Sequence, residues 1–292
     1  MKKVIAIVIT CVFALTLLAA CGGNNNTPAA TTTNPSTGTT ATNDTSAAPL
    51  SGNVLLNGST SVERVIASLI EAFNMDHPGV TLTFNPTGSG AGITSAIEGT
   101  ADIGLSSRNL RDTETGVDYS VFAIDGIAIF VHPDNPVTDL SIEQIAGIYT
   151  GEITNWSEVG GNDAPIAVFG REAGSGTRDA FDSIMGLGDD VRHDQELTSG
   201  GALLSAVATN PFGIGYSSLS AVGTNVQLIS VNGVPCTVET LLDGTYEVQR
   251  PFIMMTTSGA DISPATQAFI DFIRSPEATE IIYNAGVLQA TS

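Results

Sequence analysis

The segment REAGSGTR, residues 171–178, combines the residue types that hold a small anion. Arg171 supplies a planar guanidinium fork, and Ser175 and Thr177 add hydroxyl donors. Glycines let backbone N–H groups approach a ligand where a helix begins, and the apolar spacing after the turn predicts a helix over 177–185. All of these groups donate hydrogen bonds, so the chemistry indicated is the holding of a small oxyanion.

Two other segments have the same character. NGSTSVERVIASLI, residues 57–70, and TGSGAGITSAIEG, residues 87–99, each run from a Gly/Ser/Thr turn into apolar positions with helical spacing. One such turn is ordinary helix capping, since serine and threonine are common N-caps. Together with the arginine of the first segment, the set favours a ligand site.

Strands and helices that alternate along the chain must position these turns. Strands are predicted at 53–58, 80–86 and 101–107, with helices at 61–74 and 91–99 between them. This alternation indicates an α/β fold, in which ligands bind at the carboxyl ends of the strands. The GST, GSG and SSR turns that follow these strands all fall at that edge.

The rest of the chain continues the alternation of strands and helices and predicts two α/β lobes. We expect one lobe to contain residues 51–124 and 251–292 and the other to contain 125–250, with crossings near 122–127 and 250–257. Periodicity leaves a single large lobe as the alternative. The predicted strands are 125–136, 165–170, 213–218, 226–231 and 251–257, and the predicted helices are 141–148, 177–185, 201–210 and 264–286.

The charge of the chain restricts its partners. The formal net charge is −20, and the lysines are Lys2 and Lys3 alone. Such an acidic chain is not expected to bind nucleic acid or an anionic membrane surface through charge. It also repels anions at long range, so an anion site must act through short hydrogen bonds in a recess.

Residues 1–20 have the pattern of an export signal, with a positive start and an apolar stretch. The signal ends in Leu-Ala-Ala-Cys, which resembles the bacterial lipobox and predicts a lipid on Cys21. Residues 21–50, rich in Thr, Asn, Ala and Pro, predict a flexible tether. A plain signal peptide or an N-terminal membrane anchor is the alternative. If Cys11 leaves with the signal and Cys21 carries the lipid, Cys236 has no disulfide partner.

The motifs GSTS, GSGAGI, DIGLSSR, AIDGIA and REAGSGTR, in this order, resemble the PstS family, the phosphate-binding proteins of bacterial phosphate-specific ABC transporters. The resemblance implies a type II periplasmic-binding-protein-like fold, a two-lobed "Venus flytrap" that closes over phosphate. It further implies delivery to a membrane permease with an ATPase, and no cofactor, metal or catalysis. We expect a monomeric lipoprotein on the outer face of the cell membrane, of the Gram-positive type.

The resemblance also implies the residues that contact phosphate. Thr60 and Ser61 match the first binding turn of the family, and Ser89 matches the second. The third turn is matched by Arg171, Ser175, Gly176 and Thr177. Some family members carry an aspartate where this chain has Ser107. We therefore expect Asp125 to accept the proton that phosphate keeps at neutral pH and sulfate lacks, which would reject sulfate. Arg108 is expected to contact phosphate or to pair with Asp125.

Other functions remain to be weighed. A secreted phosphatase would need metal ligands or a nucleophile, but His77, His132 and His193 form no tight ligand pair and no GxSxG motif is present. A receptor of the same fold for tungstate, molybdate or sulfate is a closer alternative. A phosphate sensor or scavenger that is not coupled to transport is another.

Overall fold

The computed structural model describes residues 49–290 of the chain. The predicted signal over 1–20, the predicted lipidation site Cys21 and all but the last residues of the predicted tether lie outside the described residues. Within the described part, no helix is long and apolar enough to cross a membrane.

Eleven strands and eight helices alternate along this part of the chain. Short 3₁₀ turns lie at Thr60–Val62, Trp156–Val159 and Leu219–Ala221. The strands are β1 Gly52–Gly58, β2 Val80–Pro86, β3 Ile103–Ser106, β4 Val117–Val131, β5 Asp139–Leu140, β6 Ala167–Arg171, β7 Gln195–Leu197, β8 Gly213–Ser218, β9 Gln227–Val231, β10 Gln249–Thr257 and β11 Leu288–Gln289. The helices are α1 Glu63–Asp76, α2 Ser89–Glu98, α3 Ile142–Thr150, α4 Gly176–Met185, α5 Gly200–Thr209, α6 Val238–Leu242, α7 Pro264–Arg274 and α8 Glu277–Asn284.

The elements predicted from sequence are confirmed, with β2 and β8 at the predicted bounds. The structure adds β5, β7, α6 and β11, which are too short to show a period. It also begins β4 at Val117 rather than at residue 125. The added part of β4 carries polar and exposed side chains, among them Tyr119, and is held as a strand by antiparallel pairing with β10.

The sheet runs in the order β2-β1-β3-β10-β4-β8-β6-β7. β1 is parallel to β2 and β3, and β6 is parallel to β7 and β8. Between these two parallel groups lie β10 and the long β4, which pair antiparallel. β4 pairs with β10 along its first part and with β8 and β9 from Ile127 onward, so one strand belongs to both groups.

Two large hydrophobic cores lie on either side of this crossing. Helices α1, α7 and α8 cover one core, which includes Leu56, Ile66, Phe73, Phe252 and Phe269. The other core is built from the chain between residues 127 and 248 and includes Ile129, Tyr149, Trp156, Phe181 and Tyr216. The separate cores mean that the two groups of strands can pack independently while sharing β4 and β10.

Candidate anion-binding site

The carboxyl ends of parallel strands from both groups meet between the two cores. β1 ends before Ser59, β3 ends before Ser107, and β6 ends at Arg171. After β1 and after β6, a serine oxygen in the turn accepts from a backbone N–H group of the helical turn that follows. Ser59 accepts from the Ser61 N–H at 3.2 Å, and Ser175 accepts from the Arg178 N–H at 3.3 Å. The fold therefore brings the three hydroxyl-rich turns predicted from sequence to one place.

Hydroxyl groups from these turns contact one another in a buried cluster. The Ser61 and Thr177 hydroxyls are 2.7 Å apart and join turns that are 116 residues apart in sequence. The Ser59 hydroxyl donates to Ser107 Oγ at 2.8 Å, and the Ser89 hydroxyl is 3.2 Å from the same oxygen. All five side chains are at most 6 % exposed. Hydroxyls both donate and accept, so this cluster can match either kind of oxygen on an oxyanion.

Gly176 allows the two sides of the cluster to come this close. A Cβ atom at Gly176 would lie 2.1 Å from Ser89 Oγ and 2.8 Å from Ser107 Oγ. A side chain at this position would therefore push the turns apart. Gly176 is also the first residue of α4, where backbone N–H groups have no acceptor within the helix. The partial positive charge of the helix N-terminus favours a negative group here.

Arg171 is the charged group of the cluster and is 1 % exposed. Its Nε donates to the Leu197 carbonyl at 3.1 Å, and its Nη2 donates to the Thr198 carbonyl at 3.0 Å and to Thr60 Oγ1 at 3.3 Å. Among residues 49–290, its Nη1 donates to no protein acceptor and no carboxylate forms an ion pair with it. Burial lowers the pKa of the Arg171 guanidinium. An arginine held in this way carries an uncompensated buried charge, which an anion would offset.

The structure does not bring Asp125 into the cluster. Asp125 is fully buried where β4 crosses, opposite Arg250 of β10. Its Oδ1 accepts from the Ser218 hydroxyl at 2.7 Å, and its Oδ2 accepts from Arg250 Nε and Nη2 at 3.0 and 2.9 Å. Burial raises the pKa of Asp125 to about 6, against the lowering effect of Arg250 and Ser218. Both carboxylate oxygens thus accept from protein donors.

Hydrogen bonds nevertheless connect the Asp125–Arg250 ion pair to the anion-binding turns. Arg250 Nη1 lies 3.5 Å from the Ser107 carbonyl oxygen. On the other side, the Ser218 hydroxyl is 2.6 Å from Ser220 Oγ, and the Ser220 hydroxyl is 3.4 Å from the Ser61 carbonyl oxygen. The Asp125–Arg250 pair can therefore fix the positions of Ser61 and Ser107 without contacting a ligand.

Arg108 is likewise placed away from the cluster and from Asp125. Its guanidinium forms a bidentate ion pair with Glu114, with both N–O distances at 2.7 Å. Its Nε is 2.7 Å from Asp179 Oδ2 on α4. Hydrogen bonding to Glu114 is the main cause that raises the pKa of Arg108, and the same contact lowers the pKa of Glu114. Arg108 therefore links the loop after β3 to α4.

The predicted residues that the structure gathers are Thr60, Ser61, Ser89, Arg171, Ser175, Gly176 and Thr177. Sequence reasoning missed Ser59 and assigned no ligand role to Ser107, although both lie in the quoted motifs GSTS and DIGLSSR. No sequence signal pairs Arg250 with Asp125, because the two residues are 125 positions apart.

The chain has an α/β fold with two cores, a strand that crosses between them and a buried set of hydrogen-bond donors at the crossing. Together these features define a class of protein. The class is that of two-lobed solute-binding proteins, which hold a small ligand between lobes. The donor set, with one unpaired arginine and two helix starts, makes this an anion-binding member.

Comparison with known proteins agrees with this class. A family model described as the PBP superfamily domain matches residues 36–277. The phosphate-binding protein PstS of Borreliella burgdorferi is 28 % identical over 249 residues, covering 80 % of this chain and 89 % of that protein. The chain therefore belongs to the PBP superfamily and, within it, to the PstS family, and the predicted two-lobed type II fold is confirmed.

Solved structures show the same likeness. A phosphate ABC transporter substrate-binding protein from Clostridium perfringens, solved with bound phosphate, is 41 % identical with a TM-score of 0.80, over 82 % of this chain and 100 % of that chain. An ABC-type phosphate transport receptor from Vibrio cholerae is 36 % identical with a TM-score of 0.68, over 81 % of this chain and 100 % of that chain.

Proposed function

We propose that this protein captures inorganic phosphate and delivers it to the membrane permease of an ATP-driven ABC importer. Relatives named as phosphate-binding proteins and phosphate transport receptors support the ligand and the transport role. The protein binds its ligand and does not transform it, as is usual for substrate-binding proteins of transporters.

The observation that carries the proposal is that Arg171 is buried without a carboxylate partner among the described residues. A buried arginine normally has a carboxylate partner, because an isolated buried charge is costly. Arg171 has protein carbonyls and a hydroxyl around Nε and Nη2, and its Nη1 is left for a ligand. The two N–H groups of Nη1 can donate charge-assisted hydrogen bonds to phosphate oxygens. Phosphate would thus supply the missing negative charge.

Phosphate contact is assigned to the seven gathered residues, with Ser107 added. Asp125 and Arg108 act instead as positioning groups, one at the crossing strands and the other between the loop after β3 and α4. The lobes are assigned to 51–124 with 251–292 and to 125–250, in keeping with the two cores. Ligand contacts from both lobes then favour the closed state.

A receptor for another tetrahedral oxyanion is a second candidate, and one observation favours it. The carboxylate expected to recognise a protonated ligand is held in the Asp125–Arg250 pair. Among the described residues, the groups that face one another in the cluster are hydroxyls, backbone N–H groups and a guanidinium. Such a set does not by itself repel sulfate, tungstate or molybdate. Preference for phosphate must then come from hydroxyl oxygens that accept its proton.

The cellular setting follows from the sequence. The export signal and Cys21 support a lipid-anchored protein on the outer face of a cell membrane, of the Gram-positive type, held off the surface by the tether over 21–50. We expect a monomer, with the permease and ATPase subunits of the importer as partners. Mass spectrometry of the mature protein, showing a diacylated Cys21 at the N-terminus, tests the anchor.

Calorimetric titration of the protein, stripped of bound anion, with phosphate and then with sulfate, tungstate and molybdate tests the main proposal. Tight one-to-one binding of phosphate that the other anions do not displace is expected. Preference for tungstate or molybdate would keep the fold and replace the ligand. Absence of a response to every oxyanion would overturn the proposal. An Arg171→Met variant, which keeps an unbranched side chain and removes the charge, should lose binding.

A further inference from the structure

A cavity of about 310 Å³ opens beside the anion-binding cluster. Thr60 and Ser61 line it on one side, and Ser199, Gly200, Gly201 and Ser217 line it from the other. Two residues of the cluster therefore also line the cavity. Since water occupies about 30 Å³ per molecule in the liquid, the cavity has room for a further chemical group. Volumes of this order are usual for small-molecule sites.

The N-terminus of α5 presents backbone donors to this cavity. The Ser199 side chain accepts from the Ala202 N–H at 3.1 Å, which satisfies one donor. The N–H groups of Gly200 and Gly201 donate to no protein acceptor within residues 49–290. α5 is ten residues long, so its positive end can stabilise a negative group in the cavity.

Ser217 is an independent sign of a ligand. It is 2 % exposed, and its hydroxyl has no hydrogen-bond partner among the described residues. A Cβ atom at Gly200 would lie 2.3 Å from Ser217 Oγ, so this hydroxyl packs directly against the first residue of α5 in the wall of the cavity. A ligand oxygen in the cavity can accept the hydrogen bond that this hydroxyl does not donate to the protein.

The charged groups at the edge of the cavity are Glu63 and Arg64 of α1. Both side chains are exposed, and Arg64 Nη1 donates to the Ser220 carbonyl at 2.9 Å. Their opposite charges offset each other at the rim. Selection inside the cavity therefore depends on the α5 N-terminus and Ser217.

We propose that this cavity binds the second phosphoryl group of a condensed phosphate such as pyrophosphate, while the first phosphoryl group lies in the cluster at Arg171. The proposal rests on the proposed function, because the first phosphoryl group uses the phosphate site. The protein then takes up small condensed phosphates as well as inorganic phosphate.

Calorimetric titration of the anion-stripped protein with pyrophosphate, in the presence and absence of phosphate, tests this site. Pyrophosphate is expected to bind one-to-one and to compete with phosphate. Methyl phosphate, which has a substituent but no second anionic group, is the matched ligand control and should bind at least about tenfold more weakly than pyrophosphate, because it lacks the charge that the helix end attracts.

Substitution of Gly201 separates the two sites, because open space surrounds a Cβ atom at this position. Gly201→Asp should weaken pyrophosphate binding about tenfold by charge repulsion and weaken phosphate binding much less, since solvent and salt screen the more distant site. Gly201→Asn has nearly the same shape without the charge, so it should bind pyrophosphate about tenfold more tightly than Gly201→Asp does.

The outcomes distinguish this proposal from the proposed function. Phosphate binding without any response to pyrophosphate would overturn the second site and leave phosphate capture standing. Pyrophosphate binding without phosphate binding would support the second site and overturn phosphate as the main ligand. Equal pyrophosphate affinity in the Asp and Asn variants would overturn the cavity as the place of the second group. No response to either ligand would overturn both proposals.

Discussion

Asp179 on α4 is the best place to test whether closure sets phosphate affinity. Its Oδ2 lies 2.7 Å from Arg108 Nε and 2.7 Å from Arg111 Nη2, and both arginines follow β3, which belongs to the other of the two proposed lobes. On the proposed lobe assignment, these ion pairs join the two lobes without using the side chains of the anion-binding cluster. Asp179→Asn keeps the size and one acceptor oxygen but removes the charge. The variant should therefore close less readily over an unchanged set of ligand contacts.

The expected loss of binding free energy follows from how exposed the ion-paired side chains are. The Arg111 side chain is 62 % exposed, so its pair contributes about 0–1 kcal/mol. Arg108 and Asp179 are 8 % and 23 % exposed, which places this pair between a surface pair and a buried pair whose loss costs about 3–5 kcal/mol. Arg108 keeps Glu114 in the variant, which limits the loss. We expect about 1–2 kcal/mol, or a phosphate Kd raised about 5- to 30-fold.

Calorimetric titration with phosphate at low ionic strength measures this effect. Asp112→Asn is the matched control, since it makes the same charge change at an exposed residue beside Arg111 and has no ion pair within the described residues. The control should bind like the unaltered protein. When the anion-free protein is mostly open, each kcal/mol lost from the closed state weakens phosphate binding by the same amount, so the full loss appears in the phosphate Kd.

Two results would refute the reasoning. An Asp179→Asn variant with unaltered phosphate affinity would mean that the ion pairs do not contribute to closure. An equal loss of affinity in Asp112→Asn and Asp179→Asn would mean that the effect is one of overall charge. Raised salt should reduce the difference between the two variants, because salt screens partly exposed pairs.

Three further predictions follow from the site. Gly176→Ala should raise the phosphate Kd at least about tenfold, because its Cβ would lie 2.1 Å from Ser89 Oγ in the closed site; calorimetry checks this, and unaltered affinity would contradict it. Asp125→Asn should leave the preference for phosphate over sulfate unchanged, since its contacts are with protein; competition titration checks this, and a new response to sulfate would restore Asp125 as a ligand contact. Glu114, whose pKa is lowered by Arg108, contributes stability that is present above its ordinary pKa of 4.5 and is lost as the pH falls through its lower folded-state value. Urea unfolding across this acid range should show a smaller loss of stability for Glu114→Gln than for the unaltered protein, and equal slopes would contradict the assignment.

The sequence by itself determined the α/β class, the order of elements and most of the candidate site. Local chemistry carries this information, because glycine, serine and threonine at the start of an apolar helical pattern act within a few residues of sequence. Thr60, Ser89 and Ser175 were found in this way, as was Arg171 at the end of a strand. The short elements β5, β7 and β11 were missed, since their formation depends on pairing with distant strands.

Tertiary structure alone decided which charged residues face one another. The sequence offered Arg108 and Asp125 as ligand contacts because they lie in the motifs, but strand register places Asp125 opposite Arg250. Packing of α4 against the loop after β3 gives Arg108 its carboxylates from Glu114 and Asp179. Among residues 49–290, Arg171 has no carboxylate partner. Ion pairs are set by distances between side chains far apart in sequence, and only the folded chain fixes those distances.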